Sequence, residues 1–197
     1  MASPNRLKKN FENPKNGSPL RRLTARHLFL IALLSIVTAY GAGYYNMLMF
    51  WKEIPAYTWV GRGADANWTN SRNWSTQIVP GISDTAIFDN NCAANCSPTI
   101  NTSISIGGVL IKSNYGANTI TQGVGNTVTI GSAGWIQSSG TFTGSGSNIT
   151  INGAVDISAG TLATATSTFN ANSTFALSGT GIFSATTGTK TFTGIST

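Results

Sequence analysis

The chain has 197 residues, twelve Lys and Arg, six Asp and Glu, one His and a formal net charge of +6 at pH 7. Seven of the bases (Arg6, Lys8, Lys9, Lys15, Arg21, Arg22, Arg26) and one acid, Glu12, fall in residues 1–26, so this tail carries 7 − 1 = +6, the whole net charge. A uniformly basic globule is therefore excluded, and because the tail abuts an apolar run and interleaves only Phe11 as an aromatic, nucleic-acid binding is not expected.

Residues 1–26 read as a basic cytoplasmic tail and 27–51 as a transmembrane signal-anchor. The run 28–51 contains no charged residue, and 24 residues of helix span roughly 36 Å against a hydrocarbon core of about 30 Å. Arg21, Arg22 and Arg26 flank it on the N-terminal side, which orients the N-terminus inward and exports everything after residue 51. Tyr40, Tyr44, Tyr45 and Trp51 crowd the outer half, where amphipathic rings suit the interface. A cleaved signal peptide ending at the small-x-small site Ala39-Tyr40-Gly41 is the competing reading, and it exports the same residues. A buried core helix is the third, but nothing downstream looks like a partner for so long an apolar helix.

Residues 52–96 form a Trp- and Cys-containing segment at the position of an N-terminal cap. Its three tryptophans, Trp59, Trp68 and Trp74, are large plates in a stretch otherwise short of core residues. They either plug the first coil or, exposed, stack on sugar rings. Cys92 and Cys96, the only thiols, flank Ala93-Ala94-Asn95 and are expected to pair on the exported side. Metal binding lacks ligands, since the single histidine, His27, lies at the far edge of the apolar run. Asp65, Asp84 and Asp89, with Asn67, Asn90 and Asn91, could collect calcium, but no D-x-D-x-D spacing appears and turn formation is the ordinary work of such residues.

Residues 97–197 carry three charged side chains (Lys112, Asp156, Lys190) among Thr, Ser, Gly, Asn and β-branched residues. Apolar residues alternate in short runs: Ile104 and Ile106, Val128 and Ile130, Ile149 and Ile151, Val155 and Ile157, Phe175 and Leu177. Period two over four to six residues, punctuated by Gly and Asn, predicts short half-buried strands and tight turns. The strands repeat: Ser138-Ser139-Gly140-Thr141-Phe142 returns as Ser158-Ala159-Gly160-Thr161-Leu162, and more loosely as Ser178-Gly179-Thr180-Gly181-Ile182. Asn126-Thr127-Val128-Thr129-Ile130-Gly131 returns, slightly out of step, as Asn148-Ile149-Thr150-Ile151-Asn152-Gly153. A period near twenty with three short strands predicts a mainly β fold, a parallel β-solenoid (β-helix) with inward Ile, Val and Phe stacked coil on coil. A β-sandwich is the alternative. The pattern runs through residue 197 without a polar cap, so further coils or a stacked second protomer are expected at that end.

The string Trp59-Val60-Gly61, Asn67-Trp68, Asn73-Trp74, Pro80-Gly81 and Asp84-Thr85-Ala86-Ile87-Phe88, with the Gly/Thr/Ser-rich repeats after it, resembles the repetitive β-strand regions of bacterial surface β-helix adhesins and autotransporter passengers. The resemblance covers roughly residues 57–190. It implies an exported β-helix with an adhesive or scaffolding role, and it is weak for activity because fold does not imply function. These 197 residues show no pattern of an autotransporter's C-terminal barrel, so outer-membrane self-secretion is not expected.

An enzyme is not expected. β-Helix polysaccharide-active enzymes use clustered Asp, Arg, Lys or His, paired carboxylates are the minimum for glycoside hydrolysis, and after Asp89 the chain has one acid, Asp156. Ser and Thr abound without a His base on the exported side, so a Ser-His-Asp triad cannot be assembled. The expected function is a non-catalytic, membrane-anchored cell-surface module of structural or adhesive type. The alternatives are a carbohydrate-binding module using Trp59, Trp68 and Trp74, and a β-helix polysaccharide-active enzyme. No cofactor is expected, and the expected partners are the membrane and cell-surface polysaccharide or neighbouring surface proteins.

Overall fold

A computed structural model describes residues 57–165 and 168–194. The expected span at 27–51 and its flank of Arg21, Arg22 and Arg26 lie outside the described residues, among which no helix is long and apolar enough to cross a membrane.

The described chain runs through ten strands: β1 (Thr85–Phe88), β2 (Thr99–Ile100), β3 (Ile104–Ile111), β4 (Thr119–Gln122), β5 (Val128–Thr143), β6 (Ile149–Ile151), β7 (Val155–Thr164), β8 (Phe169–Ala171), β9 (Phe175–Ala185) and β10 (Lys190–Phe192). Every pairing between them is parallel, and every pair of partnered residues is 20 to 26 positions apart in sequence. Such a ladder is the signature of a chain that winds in one sense and lays each coil on the last. The fold is a parallel β-solenoid of three faces.

The register identifies the columns. On the first face Ala86, Val109, Trp135, Val155 and Phe175 stand one above another, and beside them Phe88, Ile111, Gln137, Ile157 and Leu177. On the second, Ile120, Phe142, Leu162 and Phe183 align. On the third, Ile104, Val128, Ile149, Phe169 and Lys190 form one column, and Ile106, Ile130, Ile151, Ala171 and Phe192 the other. Since successive strand side chains face opposite ways, each column is inward and its neighbours in sequence are outward. The hydrophobic core is therefore continuous along the axis, from Trp59, Trp68 and Trp74 through Ile106, Ile130 and Ile151 to Phe169 and Phe175.

Coil length follows from the same columns. Val128, Ile149, Phe169 and Lys190 are 21, 20 and 21 residues apart, matching the sequence period, whereas Ala86, Val109 and Trp135 are 23 and 26 apart. The surplus in the early coils sits in turns and bulges: a short 3-10 helical turn at Ser113–Tyr115, and a bulge on β5, where residues 131–133 lie opposite Gly107 alone of β3. The Ser-x-Gly-Thr repeat is a corner. Gly140 and Gly160 both take positive φ, +65° and +84°, which a side chain would disfavour, and the strands resume in register with Thr141 against Thr161 and Phe142 against Leu162.

Two features of the columns escape a binary apolar/polar reading. Gln137 and Gln122, 0 % and 2 % exposed, occupy the interior. The Gln137 side chain accepts from Trp135 Nε1 (3.0 Å) and donates to the carbonyl oxygens of Ser139, Gly140 and Thr161 (3.2, 3.1 and 3.1 Å), and Gln122 similarly donates to the Asn126 carbonyl (2.7 Å) and accepts from Ser145 N (2.9 Å). Both close the backbone of corners that turn inward. Outside, the row Ile87, Leu110 and Ile136 is apolar for three coils before Asp156 interrupts it. The outer row of the third face is instead wholly polar: Ser105, Thr129, Thr150, Asn170 and Thr191.

The end formed by the last described coil is more open than the other. Leu177 and Phe192 stand in inward columns yet are 42 % and 39 % exposed. The sequence pattern there lacks a polar cap, but the structure supplies one polar element: Lys190 takes an inward-column position over Phe169, and its Nζ donates to the Ala165 and Thr187 carbonyls (3.1 and 3.2 Å).

Candidate functional site: an arginine-lined groove on the aromatic cap

Ahead of the first full coil, residues 57–96 fold over its open end. Trp59, Trp68 and Trp74 are 0, 1 and 1 % exposed. Trp74 meets Trp59 edge-on (5.1 Å, 89°) and Trp68 similarly (4.6 Å, 72°), and all three rings lie 6.2–6.4 Å from Phe88, which in turn lies 5.5 Å from Tyr115. This edge-to-face arrangement suits the aromatic quadrupole and covers the aliphatic interior with wide rings. The sugar-stacking role considered for these tryptophans is corrected by their burial: stacking needs an open ring face, and none of the three offers one.

The polar atoms of the cap are fitted to the same shape. Trp59 Nε1 donates to the Asn95 carbonyl (2.7 Å) and Trp74 Nε1 to that of Trp68 (2.9 Å), while Trp68 Nε1 is buried without a protein acceptor. Asn73, fully buried, donates to the carbonyls of Asp65 and Asn67 (2.9 and 3.0 Å) and accepts from Gly63 N (2.7 Å). The Asn-Trp pairs of the sequence are therefore structural pairs, one member filling the core and the other tying a loop.

Cys92 and Cys96 are joined by a disulfide, with their Cα atoms 5.5 Å apart. The short ring is stitched to the cap by Ala93 N to the Val60 carbonyl (2.9 Å), Asn95 N to that of Gly61 (3.2 Å), and Tyr115 Oη to that of Cys96 (2.6 Å). Burial pushes the Tyr115 phenol well above its usual range, so it stays a donor. Gly61 has φ +59°, and a Cβ there would fall 2.7 Å from Cys92 Sγ and 2.9 Å from Asn95 N and O, so only glycine lets this backbone approach the ring.

The acidic residues considered for calcium are dispersed into three turns. Asp65 accepts from Asn70 Nδ2 (3.0 Å) and from Asn67 N and Nδ2 (3.1 and 2.8 Å), and these bonds, Asn70's first, hold its carboxyl below the usual range. Asp84 accepts from Gly81 N (2.8 Å), and Asp89 from Asn91 N and Nδ2 (both 2.9 Å) and from Lys112 Nζ (3.4 Å).

Against this closed cap lies a groove of about 680 Å³ lined by Val60, Arg62, Arg72, Trp74, Ser75, Thr76 and Gln77. Arg62 follows Gly61 out of the disulfide contact, and Arg72 sits in a 3-10 turn (Ser71–Asn73) whose start is capped by Asn70 Oδ1 accepting from Arg72 N (3.2 Å). Both arginines are exposed, and among the described residues neither has a carboxylate within ion-pair distance, the one ion pair being Lys112 with Asp89. Gln77 adopts φ +55°, a left-handed conformation uncommon for a residue with a side chain. Sequence reasoning passed over Arg62, Arg72 and Gln77. The arginines are ten residues apart in irregular chain, and only the excursion through Asn67, Trp68 and Asn73 returns one beside the other.

No protein-family model, curated protein or solved structure matches this chain.

Proposed function

We propose that the chain is an exported, membrane-anchored and non-catalytic cell-surface module, a β-solenoid of adhesin type whose work is structural or adhesive. The observation that carries this reading is the outer row Ser105, Thr129, Thr150, Asn170 and Thr191, a polar ladder repeated over five coils. At about 4.8 Å between strands it extends roughly 19 Å along the axis. Such a row offers one hydrogen-bonding group per coil at a fixed repeat, which suits an extended polysaccharide or a neighbouring surface protein better than a small substrate. The charge asymmetry of residues 1–26 and the uncharged run 28–51 support the anchor and its orientation. The inventory of acids and bases after residue 51, with one acid beyond Asp89 and no histidine, supports a role without bond-making chemistry.

Val124, 90 % exposed in a turn, gives the test. With both native cysteines joined to each other, Val124→Cys introduces a lone thiol. Intact cells treated with a membrane-impermeant maleimide are expected to label it, and the labelled chain is expected to stay with membranes in alkaline carbonate. Labelling only after lysis would refute export; release by carbonate would refute the anchor.

A further inference from the structure

The groove on the cap holds two cations that the cap itself does not use. Most polar groups around it serve the fold: Asp65, Asp84 and Asp89 are engaged by turn amides and Lys112, and the Thr76 hydroxyl donates to the Ile78 carbonyl (3.0 Å). Arg62 and Arg72 are the exception, exposed cations facing one groove without a carboxylate partner among the described residues. Their backbones are nonetheless fixed, Arg62 by the wedge of Gly61 against the disulfide ring and Arg72 by the Asn70 cap. The guanidinium itself is a rigid planar fork whose geometry matches a planar oxyanion.

Size and lining narrow the ligand class. A volume of about 680 Å³ lies within the range of sites that enclose organic ligands and far exceeds what an inorganic anion fills. Val60 and Trp74 line its inner wall while staying buried, 2 and 1 % exposed, so they shape the groove without offering a stacking face, and Gln77 brings a side-chain amide to its edge. The left-handed backbone at Gln77 is the kind of local strain that persists where surrounding structure holds a residue for a purpose. We propose that this groove binds an acidic saccharide, Arg62 and Arg72 engaging the carboxylate of a uronate unit and Gln77 its hydroxyls. The site deepens the adhesive reading by naming a ligand class, and its biological role rests on that reading.

The test is calorimetric titration of the full chain in mild detergent with digalacturonate, its dimethyl ester and inorganic phosphate. Digalacturonate is expected to bind, with an affinity that falls as salt rises, and the uncharged ester to bind roughly tenfold or more weakly. Arg62→Gln and Arg72→Gln are each expected to weaken digalacturonate roughly tenfold, and the Lys replacements to recover part of that, since charge returns without the fork. Both side chains are exposed, so an unchanged far-UV circular dichroism spectrum is expected for every variant. Equal binding of acid and ester, indifference to both Arg→Gln changes, or no binding at millimolar digalacturonate would each overturn the proposal. Phosphate binding as tightly as digalacturonate would reduce the groove to a simple anion site and overturn the saccharide assignment. Because the titration uses purified chain, its failure is separate from a failure of the surface-labelling test.

Discussion

Gln137→Met tests the physics of the interior most sharply. Methionine has nearly the same length and fills the same column between Ile111 and Ile157, so no cavity opens, and an area argument alone favours the change. The hydrogen bonds argue the other way. Four are lost: Trp135 Nε1 to Gln137 Oε1, and Gln137 Nε2 to the carbonyls of Ser139, Gly140 and Thr161, the last belonging to the next coil. The Trp135 indole is 1 % exposed, so its N–H is left without acceptor or water at about 1–3 kcal/mol, and the carbonyls add a fraction of that. A net loss of about 2–4 kcal/mol is expected by urea denaturation followed through near-ultraviolet circular dichroism. In a Trp135→Phe background the orphaned donor is gone, so the Gln137→Met cost is expected to shrink by about 1–2 kcal/mol. A single variant as stable as the parent, or a double variant with no coupling, would refute the claim that the buried amide holds this corner.

Gly61→Ala places a Cβ against Cys92 Sγ and Asn95 in a left-handed backbone, and is expected to cost about 2 kcal/mol or more by the same denaturation, with faster reduction of the Cys92–Cys96 bond by dithiothreitol. The Asp65 carboxyl titrates below its ordinary value of 3.8 in the folded chain, so its contribution is present above that value and disappears as pH falls through the lower folded value; Asp65→Asn is expected to flatten the acid limb of a stability–pH profile there and nowhere else. Lys190→Leu removes the one charge from the inward columns at the open end, and concentration-dependent self-association is expected in analytical ultracentrifugation, whereas a variant no more associated than the parent would show that the lysine does not protect this edge. Gln77→Gly relaxes φ +55° while deleting the amide, so a higher urea midpoint together with weaker digalacturonate binding is expected; undiminished binding would separate the strain from the site.

The solenoid was legible because its strands and one glycine corner, Gly140 and Gly160, both carry the period. Val128 and Ile130 recur as Ile149 and Ile151 in the sequence and pair in the structure, since stacked residues must match in size and polarity. The loose third copy, Ser178-Gly179-Thr180-Gly181-Ile182, is one residue late: Thr161 pairs with Ile182, not Gly181. That extra residue is absorbed at the corner, where spacing is free. Coils before Trp135 blurred for the same reason, through the Ser113–Tyr115 turn and the β5 bulge at residues 131–133. Gln137 and Gln122 were illegible because polar residues in an alternating pattern read as outward, and only the inward-turned carbonyls of a corner make an interior amide favourable. Arg62 and Arg72 left no trace because two exposed cations on irregular chain have no periodicity to break.

The columns also explain why the ends differ from the middle. Inner coils are closed above and below, so branched aliphatics such as Ile106, Ile130 and Ile151 fill them in register. A coil with a described neighbour on one side only has side chains that spread across the cross-section of the coil beneath. The first and last described coils both carry aromatic rings there. At one, Trp59, Trp68 and Trp74 lie over Phe88; at the other, Phe169, Phe175, Phe183 and Phe192 make six mutual ring contacts with centroids 4.8–6.3 Å apart. The difference lies in what covers the rings. The tryptophans are sealed by the Cys92–Cys96 ring and the buried Asn73, whereas Phe192 and Leu177 stay partly open with Lys190 beside them. In a linear array each unit is held by its neighbours, so the less covered end sets where fraying begins. Hydrogen exchange is therefore expected to rise from the cap toward β9 and β10, in the order that ring coverage falls.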